Sequence, residues 1–164
     1  MIATLLMAAI LHSASVDNEA MVTKRFTGLQ IGAIYHEARK ALTEKAVRIG
    51  WTYAKAFRAV RKSLLSRKLT TLFTSKDQES AFEFVQNCEE HIETFNHRRS
   101  VIQRESCDVN VPVYDAEGRD TGLVERLTLS KIVFDNHSRI LAFSSNPNAL
   151  RSYGGDVMWD EAAF

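Results

Sequence analysis

Proline and cysteine are scarce in this chain of 164 residues, with two of each, and neither charge sign dominates, since 21 lysines and arginines face 20 aspartates and glutamates for a formal net charge of +1. Two prolines leave no proline-rich linker and no composition-driven disorder. Cys88 and Cys107 stand in unrelated settings without a CxxC spacing, which removes a disulfide framework and a cysteine zinc site and fits a reduced compartment. A net charge near zero excludes a grip on nucleic acid spread over the whole surface, though it leaves room for a local basic stripe. The apolar stretch Ile2 to Leu11 is far shorter than the roughly 20 residues a membrane helix needs, so no membrane span is expected. No lysine or arginine precedes it, so a leading helix, or a segment that folds only against sequence beyond this chain, is preferred to a signal-peptide core ending at Ser13-Ala14-Ser15. His12, His36, His91, His97 and His137 show no metal-ligand spacing and read as surface residues.

Apolar residues make up 45% of the chain and charged residues 25%, enough for one folding unit with a buried core. There is no internal repeat. Strand and helix signals alternate, which predicts an α/β fold with a mostly parallel central sheet flanked by helices. Ala41 to Ile49 reads as a short strand running into Gly50, and a helix follows in which Tyr53, Phe57, Val60 and Leu64 form one apolar stripe. Thr70 to Thr74 is β-branched and aromatic, hence a strand, and Ser75 with Gln78 has the form of a capping box starting a second helix. In that helix Ala81, Val85, Cys88, Ile92 and Phe95 recur at helical spacing, which makes Cys88 a core thiol. From Val109 to Phe143 short strands are expected, with Asp115 to Arg119 and Asp135 to Ser138 as hairpin connections. Val157-Met158-Trp159 has the form of a buried strand running into Asp160-Glu161. An acidic pair at the carboxyl end of a strand is where a doubly wound sheet places its ligand.

The segment Lys45-Ala46-Val47-Arg48-Ile49-Gly50-Trp51-Thr52 carries the chemistry. A phosphate-binding loop needs inward-pointing amides, a glycine where backbone approaches phosphate, and a hydroxyl at the helix start for Mg²⁺. Gly50 and Thr52 supply the last two, but Trp51 stands where the usual lysine belongs, so the common GxxxxGK[ST] pattern fails. Lys45, at the opening of the same eight-residue frame, has a stem long enough to bring its ammonium to the phosphates from the other side of the loop. Arg58, Arg61, Lys62, Arg67 and Lys68 are read as a solvated face rather than a DNA-facing ridge. Arg151 either contacts phosphate or holds a loop, and Gly154-Gly155 serve the turn into the last strand.

A lysine opening the loop, an arginine before the glycine, then glycine, aromatic and hydroxyl residue, and an alanine-rich helix: KAVRIGWTYAKA, Lys45 to Ala56, resembles the deviant Walker A of phage terminase large subunits. LFTSKDQESAFEF, Leu72 to Phe84, is similar to the strand and helix that follow in that family, and SSNPNALRSYGGDVMWDEAAF, Ser144 to Phe164, to its approach to Walker B. The resemblance covers residues 41–164, taken as part of a P-loop ATPase domain of the additional-catalytic-glutamate type, and leaves residues 1–40 as an extension.

The resemblance implies ATP and Mg²⁺ as cofactors. Thr52 would be a direct metal ligand, Asp160 would hold the Mg²⁺ shell through water, and Glu161 would polarise the attacking water. Lys45 would stabilise charge on the phosphates, while Arg48 would add to this or report nucleotide state to DNA-contacting parts. Trp51 would be a lid over the phosphates or a core contact, and Gln30 the stand-in for an adenine-contacting glutamine. The implied setting is the cytoplasm of a bacterial host, with double-stranded DNA, a portal protein, a small terminase subunit and further copies of the chain as partners of the intact protein. The sequence departs from the family at Val47, where a second arginine is common, and it stops three residues after Glu161, ahead of the expected coupling motif and nuclease domain. A helicase-like or recombination ATPase is the rival of the same chemistry, and a non-catalytic prophage remnant that only binds is the rival of another class.

Overall fold

The computed structural model describes residues 18–36, 50–144 and 146–160. The first elements among these residues are two short helices, α1 (Glu19–Arg25) and α2 (Gly28–Tyr35). Asn18 caps α1 by accepting from the Met21 amide, and Thr27 with Gln30 closes a reciprocal capping box on α2. The expected strand at Ala41 to Ile49 lies outside the described residues. Next is α3 (Trp51–Leu65), then strand β1 (Thr70–Ser75) and helix α4 (Gln78–Thr94). The start of α4 departs from the expected capping box. Ser75 is the last residue of β1, and Asp77 caps the helix by accepting from the Ser80 amide at 2.7 Å. Ser75 is held in the ladder opposite Ser144, so its backbone is committed to the sheet and Asp77 is the next residue able to cap.

A 3-10 turn at Arg98–Ser100 leads into the strands β2 (Val101–Tyr114), β3 (Asp120–Phe134) and β4 (Arg139–Ser144), followed by α5 (Pro147–Ser152) and β5 (Asp156–Trp159). The five strands form one sheet in the order β2-β3-β4-β1-β5. Strand β1 pairs in parallel with β4 and β5, whereas β2, β3 and β4 pair antiparallel. The sheet is therefore mixed and not mostly parallel. Both hairpin connections fall where the sequence places them, and connections this short join only antiparallel neighbours. Gly118, at φ 82°, closes the first by donating its amide to the Asp115 carbonyl. The second brings Ile132 opposite Ile140. The strands of the first hairpin are long rather than short and begin eight residues earlier than expected, because β2 from Val101 to Val109 is polar on both faces and carries little periodic signal.

Alternation along β1 and β4 sends Phe73, Ile140 and Ala142 to one face and Leu72, Leu141 and Phe143 to the other. The first face packs on α3 and α4, where Phe84 stacks on Phe73 with ring centroids 3.8 Å apart and Cys88 is fully buried. The opposite face meets Val111, Leu127, Leu129 and Ala149 of α5. Helix α3 buries more than the expected stripe: Ala54, Ala56 and Ala59 are also closed off, and these small residues let sheet, α4 and the α1–α2 pair approach on different sides. Val22, Phe26 and Ile34 join Ala54, Phe57 and Phe95 in the cluster that attaches α1 and α2. Among the described residues β5 is an edge strand, with Val157 and Trp159 about half exposed, so the expected buried triplet is covered on one side only. No described helix is long and apolar enough to cross a membrane.

Candidate functional site

Helix α3 starts from Gly50, whose φ of 67° is the left-handed conformation that favours glycine. No side chain caps this helix start, and its first turn has no acidic residue. The amides of that turn and the helix dipole together make an anion-binding position. It lies at the carboxyl ends of the parallel strands β4, β1 and β5. Asp160, directly after β5, prolongs the strand pairing by donating its amide to the Thr74 carbonyl at 2.9 Å. Thr52 Oγ1, on the first turn of α3, donates to Asp160 Oδ2 at 2.8 Å across 108 residues of sequence. A hydroxyl and a carboxylate thus meet at the helix start. Hard oxygen donors of this kind suit Mg²⁺, which keeps much of its shell as water and phosphate oxygen. No group of three His, Cys, Asp or Glu side chains that could hold a metal is found among the described residues.

The approach of β5 to β1 depends on a second glycine. Gly155 has φ 152°, and a Cβ there would fall 2.2 Å from the Thr70 carbonyl oxygen. The turn glycine read from the sequence is thus needed for conformation and for space, and it fixes the strand that ends in Asp160.

Gln30 reaches the same helix start. Its Oε1 accepts from the Thr27 amide at 2.9 Å, and its Nε2 donates to the Gly50 carbonyl at 3.2 Å, tying α2 to the glycine. Trp51 is half-buried, and the Lys55 ammonium, one turn on, lies 5.0 Å from its ring centroid. Burial, and then the charge of Arg58, pull the Lys55 pKa below its ordinary value. Gln30, Gly50, Thr52 and Asp160 are therefore brought together, with Trp51 on the adjoining surface of α3. Lys45, Arg48 and Glu161 lie outside the described residues.

Next to Thr52 along α3 is a group of residues centred on Tyr53 and His91, to which the sequence assigns no role in the site. Tyr53 donates its hydroxyl proton to Glu90 at 3.0 Å and accepts from Arg25 Nε at 2.5 Å, while Arg25 also pairs with Glu90. Burial, followed by the bond to Glu90, raises the Tyr53 pKa, against the opposing effect of Arg25. His91, expected on the surface, is fully buried among Phe26, Tyr53, Phe57 and Phe95. Its Nε2 lies 3.0 Å from the Tyr53 carbonyl, which can only accept, so Nε2 carries the proton and Nδ1, buried without a partner, is bare. Burial pushes the His91 pKa down to about 4. The spacing holds the signal that would have found it, since position 91 falls on the same α4 face as Cys88 and Ile92.

The cations of α3 are engaged in packing. Arg58 donates to the Ala33 carbonyl at 3.2 Å, Arg61 stacks on Tyr35, and Lys62 pairs with Asp156. Arg151 sits over the Tyr114 ring. Neither arrangement points these side chains at the Thr52–Asp160 pair.

No family model matches the sequence, and no solved structure matches it. Over 143 residues it is 30% identical to the "Probable terminase, large subunit gp28" of Escherichia phage Mu, covering 85% of this chain and 24% of that protein. The chain spans about a quarter of the length of the relative it matches. The similarity supports a relationship to phage terminase large subunits.

Proposed function

We propose that this chain is the nucleotide-binding part of a DNA-packaging terminase large subunit, and that it binds and hydrolyses ATP with Mg²⁺ in the intact protein. The observation that carries the reading is the 2.8 Å bond between Thr52 and Asp160, at an uncapped helix start and at the carboxyl ends of parallel strands. A loop hydroxyl and a strand-end carboxylate are the two protein groups that a P-loop ATPase gives to its metal, and a sheet places its ligand at this end. The similarity to the phage Mu protein supports the packaging role.

In this reading Thr52 and Asp160 hold Mg²⁺, which supplies charge neutralisation at the phosphate oxygens. The first-turn amides of α3 bind phosphate, aided by the ammonium of Lys45 and the guanidinium of Arg48. Glu161, next after the metal-holding carboxylate, orients water and accepts its proton. Gln30 sits beside the loop glycine and contacts the nucleotide base, and Trp51 covers the phosphate side. Double-stranded DNA, the portal protein, the small subunit and further copies of the chain are the partners of the intact cytoplasmic motor.

Binding to the folded state alone must stabilise it, by about 2.7 kcal/mol at a ligand concentration 100 times Kd. Mg-ATP is expected to raise Tm, and chelating the metal to remove most of the rise. Lys45→Ala should abolish the stabilisation and Thr52→Val should remove its dependence on Mg²⁺. Glu161→Gln should keep the stabilisation and lose turnover. Equal ATP affinity of wild type and Lys45→Ala in a calorimetric titration defeats the loop assignment. An unchanged Tm with Mg-ATP defeats the whole reading and leaves a chain that only binds partners.

A further inference from the structure

Three turns meet at the end of the sheet opposite the Thr52–Asp160 pair: residues 66–69 between α3 and β1, residues 96–100 after α4, and residues 135–138 between β3 and β4. Hydrogen bonds join them, from the Lys68 amide to the Asn136 carbonyl at 3.2 Å and from the Asp135 amide to the Ser100 carbonyl at 2.9 Å. Their charges are lopsided. Arg67, Lys68, Arg98 and Arg99 are exposed, as are His137 and the adjoining Arg139, and Asp135 is the acid that these turns contain. Arg98 pairs with Glu93, whereas Arg67, Lys68 and Arg99 form no ion pair among the described residues.

Two further features set this end apart. Among the described residues the non-glycine positions with positive φ, Lys68 at 57°, Asn96 at 61° and His137 at 67°, all lie in these turns. Asn96 is the left-handed cap of α4, where the His97 amide donates to the Ile92 carbonyl, so these conformations fix the shape of the turns. The negative end of α3 is also quenched from within: Asn136 Nδ2 donates to the carbonyls of Ser63 and Ser66, and Ser138 Oγ to that of Ser66. Carbonyls that would otherwise draw the nearby cations inward are thereby occupied, and Arg67 and Lys68 keep their charge for the outside. The flanking Phe95 and Phe134 are buried, and the turns themselves hold no Phe, Tyr or Trp, their aromatic rings being the imidazoles of His97 and His137. An open groove of about 490 Å³, lined by Arg98 and Arg104 together with Glu93, Val101, Ile102 and Gln103, continues from the turns along the start of β2.

We infer that this basic end is a docking surface for the phosphate backbone of duplex DNA, with Arg67, Lys68 and Arg99 as its principal contacts. Exposed arginines suit bidentate phosphate recognition, and a surface without the exposed Phe, Tyr or Trp platforms that hold single strands fits a paired duplex. The choice of DNA rests on the packaging role proposed above, while the charged surface stands without it. Helix α3 spans the molecule from Thr52 to this end, about 20 Å away at 1.5 Å per residue, so DNA and nucleotide would engage opposite ends of one helix.

The test is fluorescence anisotropy of a labelled duplex with the full chain, without nucleotide, across a salt series. The triple variant Arg67→Ala, Lys68→Ala, Arg99→Ala is expected to bind about tenfold or more weaker at low salt and to flatten the log–log salt slope by about 3. The triple variant Lys24→Ala, Arg119→Ala, Arg126→Ala, which removes equal charge elsewhere, should change binding less than threefold. Arg99→Glu alone, at a residue with no ion-pair partner among the described residues, should weaken binding in the same direction. Equal losses in both triple variants, an unchanged slope, tighter binding of a single strand of the same length, or displacement of the duplex by a polyglutamate of equal charge would each overturn the inference. Thermal shifts with Mg-ATP are expected to be the same in wild type and the first triple variant, so failure of the nucleotide site and failure of this surface are read separately.

Discussion

The two halves of the sheet are built differently. Strands β4 and β1 are closed off on both faces, with Leu72, Ile140, Ala142 and Phe143 at 0% exposure. The outer hairpin of β2 and β3 is exposed along most of its length, with Ile102, Leu123 and Val124 more than 60% exposed. Polar pairing across the strands replaces packing there, as Glu105 with Lys131 and Asp108 with Arg126 and Thr128. The carboxyls of Glu105 and Asp108 are held below their ordinary pKa by those partners, led by Lys131 and Thr128. Asp160 follows the edge strand β5, which is covered on one side only but is held by its parallel pairing to the doubly covered β1; the hairpin contributes none of the described site residues. The Thr52–Asp160 contact thus depends on the covered half through β1 rather than on burial of β5 itself.

Core truncation in the covered half should have the largest effect. Phe84→Ala removes the ring stacked on Phe73 and is expected to cost about 3–5 kcal/mol in chemical denaturation, whereas a cost below 1 kcal/mol would show that the two halves are equally loose. Gly155→Ala should cost about 3 kcal/mol and displace Asp160 as well, because a Cβ there meets the Thr70 carbonyl in a conformation close to glycine-only. Its expected signature is loss of the Mg-ATP response together with lowered stability.

His91 sharpens the comparison by pH. Its folded pKa of about 4 lies below the ordinary 6.5, so between these values the unfolded chain binds a proton that the folded chain refuses. Stability is complete above about pH 6.5 and falls by about 3 kcal/mol as pH drops to about 4. Arg25 opposes protonation of the ring and Glu90 favours it, but burial outweighs both. His91→Phe should flatten the difference between urea unfolding at pH 7 and pH 5, and an undiminished difference would mean that other groups carry it. The smallest effect is expected at Leu123→Ala on the hairpin, within about 0.5 kcal/mol of wild type; a loss above 2 kcal/mol would show that the hairpin is covered by something in solution.

Much of the covered half was legible in the sequence because periodicity reports burial. The strand at Thr70 and the α4 face of Ala81, Val85, Cys88, Ile92 and Phe95 emerge as read, as do both hairpin turns. What failed has particular causes. Alternating elements favour a parallel sheet, but two turns too short for anything but antiparallel pairing make it mixed. His91 is polar, yet its position between Cys88 and Ile92 on the inner face of α4 buries it. The cap moved from Ser75 to Asp77 because sheet pairing, invisible in a local motif, claimed the serine. Of the candidate site, Thr52 and Asp160 were legible as residue types at strand and helix ends.

The sequence by itself determined which segments bury apolar faces, where the chain turns, and that a hydroxyl and a carboxylate stand at a helix start and a strand end, since these depend on side-chain chemistry and spacing of a few residues. Only the tertiary structure decided that Thr52 and Asp160 touch, that Gly155 passes against Thr70, and that Arg67, Lys68 and Arg99 share one end of the molecule. Those relations join residues tens to more than a hundred positions apart, and a contact between them is set by strand order and register, which no local pattern records.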